Sequence, residues 1–157
     1  MRKPWNLPDL PVHSLMTMGT GERVNMNICT YATAVSMRPK RYAIAVYHGT
    51  RTLENLCGSG QAVLQYLHPD QVGLVRQLGL KSGMGFDKDA WLRTGGRLSD
   101  WRGHSVLTGA SALVELRMVD RCAAGDHDLY LFDAAASKTL RDGVLTTGDL
   151  RRAGIIR

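Results

Sequence analysis

The stretch from Val24 to Leu56 constrains the fold most. It sets a segment of small polar side chains, a proline turn, an apolar β-rich run and a helix start in direct succession. Tyr42 to Tyr47 has the composition of a buried strand, and Gly49 breaks it. Thr50 or Thr52 can then cap a helix running through Leu53, Glu54, Leu56 and Cys57, with Gly58 and Gly60 as its stop. Before the turn at Pro39, strict alternation puts Asn25, Asn27 and Cys29 on one face of a strand and Met26, Ile28 and Thr30 on the other.

The flanking regions extend this β-rich pattern. Residues 1 to 11 carry Pro4, Pro8 and Pro11 and read as an extended arm. Val12 to Met18 is a short apolar strand, joined through a turn at Gly19 to Arg23 to the polar segment as a hairpin. Gln61 to Leu67 reads as a strand, and Pro69 suits the first turn of a helix through Val72, Leu74, Val75 and Leu78. Gly79 to Gly103, rich in glycine and charge, reads as a long, partly ordered excursion anchored by Trp91 and Trp101. Leu113 to Arg121 alternates, with Val114, Leu116 and Met118 opposite Glu115 and Arg117. A turn at Gly125, Asp126 and His127 leads into a strand over Leu129 to Ala136, and Val144 to Thr147 reads as a last short strand. Six or seven strands with a few short helices between them point to an antiparallel barrel, and not to a βαβ sheet. One domain without a linker is expected over the 157 residues.

Composition narrows the function classes. No run reaches the roughly 18 to 20 apolar residues of a membrane span, and no apolar block follows the first basic residues, so a soluble cytoplasmic protein is expected. Cys29, Cys57 and Cys122 show neither a disulfide framework nor a zinc spacing. The formal net charge of +6 favours an anionic partner. Its basic residues are dispersed and lack interleaved aromatics, which argues against nucleic acid; between a membrane surface and a nucleotide cofactor charge alone does not choose.

Two places could hold such chemistry. Thr50, Arg51 and Thr52 at a helix start offer hydroxyls, a guanidinium and backbone N–H groups to an anion; the same residues also suit an ordinary N-cap with a solvated arginine. Asp126 and His127 could form a carboxylate-oriented imidazole or a plain turn pair. The methionines at 16, 18, 26 and 118 read as core filler.

Four pieces in order, NMNICTYATAVSMRP, YAIAVYHGTRTLENL, QAVLQYL and GDHDLYLFDA, resemble the flavin reductase-like, FMN-binding split-barrel family over roughly Leu15 to Thr147. The departures are Arg38-Pro39-Lys40 in place of the family's double proline, and Asn25 and Asn27 at hydroxyl-rich positions. The resemblance implies a mainly β, Greek-key split barrel that works as a homodimer and moves a hydride from NADH or NADPH to FMN, alternatively FAD. It implies phosphate contacts from Thr50, Arg51 and Thr52, ring contacts from Asn27, Ile28, Cys29, Thr30 and Tyr31, and a cofactor-edge segment at Lys81, Ser82 and Gly83, followed by Phe86 to Lys88. His127 is implied as the residue that receives the nicotinamide, with Asp126 to orient it. A flavin-dependent monooxygenase is the implied acceptor of the reduced flavin. A non-catalytic FMN electron carrier or a flavin- or haem-binding module of the same barrel type stands as the alternative.

Overall fold

A computed structural model describes residues 1–157. Its main sheet has seven strands: β1 (His13–Met18), β2 (Val24–Met26), β3 (Ala32–Met37), β4 (Lys40–Tyr47), β5 (Gln61–Tyr66), β8 (Ala112–Ala124) and β9 (His127–Thr139). They are ordered β2-β1-β5-β8-β9-β4-β3 and every neighbouring pair is antiparallel. A separate hairpin is formed by β6 (Leu98–Trp101) and β7 (His104–Leu107). Four short helices, α1 (Arg51–Ser59), α2 (Leu74–Gly79), α3 (Lys88–Thr94) and α4 (Thr147–Arg152), sit between and after the strands. The sheet does not close, which is the split-barrel form.

The polar segment is divided, because residues 27–31 leave one edge of the sheet and cross to the other. Cys29 and His13 exchange N–H···O bonds of 2.8 and 2.9 Å, holding the segment to β1, while the Ala45 N–H on β4 donates to the Tyr31 carbonyl at 2.9 Å. Ahead of these points the Leu15 N–H donates to Asn27 Oδ1 at 3.1 Å. The Asn27 side chain therefore takes the place of its own carbonyl in the ladder, which is a common use of Asn where backbone leaves a regular element.

Strands β1 and β5 are buried on both faces, so their side chains feed two cores in alternation. Leu15, Ala62 and Leu64 join Ile44, Val46, Leu116, Tyr130 and Phe132 in one apolar cluster, to which α1 contributes Leu56. Met16 and Val63 join Val75 and Leu78 of α2, Leu92 of α3, Val106 and Leu107 of β7, and Leu150 of α4 in the other.

Three regions depart from the sequence reading. The Gly79 to Gly103 excursion is ordered: Asp87 caps α3 by accepting from the Ala90 N–H at 2.9 Å, and β6 begins at Leu98. Val144 to Thr147 makes only a single bridge, Thr146 to Pro11, and α4 then starts on a capping box of Thr146 and Asp149. Glu115, which alternates with the core residues of β8, is only 8% exposed. Arg102, from the β6–β7 turn, reaches it at 2.8 Å and holds its carboxyl below the usual range.

His13 lies inside, with its Nδ1 3.3 Å from the Cys29 carbonyl and its ring edge-on to Tyr66. Burial pushes its pKa down to about 4. A histidine held neutral in the fold lets the unfolded chain bind the extra proton between pH 6.5 and 4, so stability is full above that window and falls within it. Denaturant unfolding is expected to show a loss of about 2 kcal/mol from this group between pH 7 and pH 5, and His13→Gln should flatten that part of the profile.

Candidate functional site

The crossing segment, the start of α1 and the loop after α2 surround one cleft of about 580 Å³. Asn27 to Tyr31 form one wall, Gly49 to Thr52 a second, and Leu78 to Gly83 a third, with Tyr47 and His127 at one end and Lys88 at the base. Eleven of the twelve residues singled out from the sequence line it; the twelfth, Asp126, stands behind His127 with Oδ1 2.5 Å from its Nδ1. Register does this assembly. Tyr47 pairs with His127 across β4 and β9, and a two-residue turn pairs Ala124 with His127 across β8 and β9. The His127 ring then sits 5.2 Å from Tyr47 and 5.5 Å from Tyr31, centroid to centroid, in tilted or edge-on contact.

At the start of α1 the threonines divide their work. Thr50 is the N-cap: its hydroxyl donates to the Tyr47 carbonyl at 2.8 Å and accepts from the Leu53 N–H at 3.3 Å, so both its functions are used within the fold. Thr52 is buried and accepts from Asn25 Nδ2 at 3.0 Å, which leaves its own hydroxyl proton to donate. The N–H groups of Arg51 and Thr52 belong to the first turn, where the helix itself offers no acceptor. Arg51 pairs with Glu54 at 2.6 Å on the exposed side.

Side chains on the crossing segment are less free than the sequence suggests. Asn27 Oδ1 is engaged with Leu15, so only its amide nitrogen remains for a ligand. Cys29 is buried and its thiol is pushed up to about 11, which keeps it protonated and inert as a nucleophile. Lys81 lies over the Phe86 ring at 4.5 Å, and Ser82 Oγ accepts the Met84 N–H at 3.2 Å.

Lys88, which the sequence places at the end of the cofactor-edge segment without a role of its own, lines the cleft itself. It is 5% exposed, and its ammonium donates to the Met26 carbonyl at 2.8 Å and the Leu78 carbonyl at 2.7 Å. Two of its three donors are thereby satisfied, and no carboxylate pairs with it. Burial lowers its pKa to about 8. The cleft wall carries Arg51, Lys81, Lys88, His48 and His127 and no acidic side chain. Such a wall selects an anion.

The profile of the flavin reductase like domain matches residues 10–145. The chain belongs to that family. Among curated protein sequences none matches it. Solved structures of the same fold include an FMN-binding protein from Thermus thermophilus with bound p-hydroxybenzaldehyde, 22% identical, TM-score 0.77, covering 89% of this chain and 77% of that one. The flavin reductase of styrene monooxygenase from Pseudomonas putida is 20% identical, TM-score 0.72, with 85% and 82% covered. An NADH:FAD oxidoreductase from Streptomyces globisporus is 17% identical, TM-score 0.74, with 85% and 77% covered. At these identities the likeness is one of fold.

Two outcomes check the division of labour in this flavin reductase-like cleft. Thr50→Ala should lower stability by about 1 kcal/mol through loss of the cap, measured by denaturant unfolding, and leave anion affinity at the folded cleft intact. Anion affinity should fall between pH 7 and pH 9 as Lys88 loses its proton near pH 8, and a Lys88→Met chain should show a flatter profile in the same titration.

Proposed function

We propose that this chain is an oxidoreductase that binds a flavin nucleotide in the cleft and passes a hydride to it from NADH or NADPH. The observation that carries the reading is the cationic, carboxylate-free wall joined to the free N–H groups of an N-terminal helix turn, in a member of the flavin reductase like family. The residues fit the FMN portion common to FMN and FAD. The Arg51 and Thr52 amides, the Thr52 hydroxyl and the Arg51 guanidinium suit its phosphate. The backbone of residues 27–31, with the carbonyl that Asn27 frees from the β1 ladder, suits the polar edge of the ring. Lys88 places a positive charge at the base of the same space.

A bound flavin supplies the hydride-accepting chemistry, so the chain has to orient the partners and exclude water, and needs no general base. His127, held by Asp126 and braced by Tyr31 and Tyr47, lines the cleft. We assign it the placing of the nicotinamide. The reduced flavin then serves an acceptor such as a flavin-dependent monooxygenase. The unpaired edge strand β3, with Val35 and Met37 exposed at 52% and 79%, supports a homodimer.

The purified protein, loaded with flavin and mixed anaerobically with NADH or NADPH, is expected to lose its flavin absorbance; a flavin that stays bound and oxidised identifies an electron carrier in place of a reductase. His127→Ala should slow that reduction while flavin affinity holds. Unchanged turnover would leave His127 with a purely structural part.

A further inference from the structure

Two further clefts border the first. One, of about 600 Å³, meets it at Lys88 and is lined by charges already paired within the fold, Arg23 with Asp87 and Arg51 with Glu54. The other, of about 380 Å³, is of a different kind: apolar side chains line it together with Arg151 and Arg157, and no acidic side chain does. Its volume lies within the roughly 300 to 1,000 Å³ typical of a small-molecule site.

Three segments build this third cleft. The arm over residues 1 to 11 is fastened along the start of α4: the Thr147 N–H donates to the Leu10 carbonyl at 2.8 Å, the Leu10 N–H to Thr147 Oγ1 at 3.0 Å, and Asp9 accepts from the Gly148 N–H at 2.5 Å. Trp5 and Leu10 line the cleft from the arm, and Leu150 and Ile156 line it from α4 and the residues after it. Ile28 of the crossing segment is the third contribution. A Cβ on Gly79 would lie 3.0 Å from Ile28 Cγ1, so the end of α2 and the crossing segment meet closely in the wall shared with the first cleft.

The charge of Arg151 is not balanced within the fold. Its Nη2 donates to the Asn6 carbonyl at 2.9 Å, and its Nε is buried without a partner. The nearby acids are engaged elsewhere: Asp149 pairs with Arg152, and Asp9 is held by Thr147 and Gly148. A guanidinium partly withdrawn from water and left without a counter-ion is unfavourable until an anion meets it, and a carboxylate matches its planar fork. The apolar walls then discriminate among anions, since only one with an apolar body gains from being enclosed by them.

We propose that the third cleft is a binding site for a small organic carboxylate. Its apolar body, an aromatic ring or a short acyl chain, lies between the arm and α4, and its carboxylate meets Arg151. The site stands apart from the flavin reading of the first cleft and does not depend on it.

The test is calorimetric titration of the purified protein with benzoate and hexanoate, each against its neutral amide. At least one carboxylate is expected to bind about ten-fold tighter than its amide. Arg151→Met should remove that difference and Arg151→Lys should keep part of it. Ile156→Trp, which fills the cleft, should abolish binding of acid and amide alike. Inorganic phosphate at constant ionic strength has the charge for the first cleft but no apolar body, and should leave the carboxylate affinity unchanged. Equal affinity for acid and amide, a preference that survives Arg151→Met, binding that survives Ile156→Trp, or displacement by phosphate each overturns the site. So does the failure of both carboxylates to bind at about 10 mM. The flavin reading stands in every one of these cases.

Discussion

The cleft exists because residues 27–31 are held at both ends of an open sheet. Cys29 is bonded to His13 of β1 and Tyr31 to Ala45 of β4, so five residues span the gap between two edges that no continuous strand joins. Asn27 makes the departure possible by giving Leu15 a side-chain acceptor in place of a backbone one. The exchange leaves main-chain polar groups facing a space instead of a partner strand. Backbone groups that a fold leaves unpaired are costly unless water or a ligand meets them, and here they lie along one wall of the cleft.

The opposite wall is governed by the edge of β2. An exposed edge strand invites unwanted pairing, and covering it is one common remedy. Here the first turn of α3 does so: Asp89 accepts from the Val24 N–H at 2.9 Å and Lys88 donates to the Met26 carbonyl. The same contact draws an ammonium out of solvent with one donor unused. One side chain thus covers the β2 edge and sets a positive charge in the cleft, and the depressed pKa is the physical trace of its burial.

Much of the local structure was legible. Thr50 caps α1 and Gly60 closes it in the left-handed region, as the residue types require. The hairpin through Gly125 and Asp126 follows from turn chemistry and the alternation on either side. Where the reading went astray, local signals were present but outvoted. Asp87 ahead of α3 and the Thr146–Asp149 box ahead of α4 are both cap signatures, yet the glycine and charge around the first and the short apolar run before the second suggested other states. Glu115 went the other way, since only a distant hairpin turn could bring it Arg102.

For the site, the sequence determined which residue types were on hand: a capped helix start with a basic side chain, a polar segment after a turn, and an Asp-His pair at a hairpin. It also sufficed, through the order of four pieces, to indicate the family to which the chain belongs. Only the tertiary structure decided how those groups are used. It committed the Thr50 hydroxyl and the Asn27 side-chain Oδ1 to the fold, set His127 beside Tyr47 by strand register, and buried Lys88 between two clefts. The reason is physical: a cap or a turn is fixed by interactions within a few residues, whereas the burial and free donors of a side chain depend on segments far away in the chain, which come together only when the sheet forms.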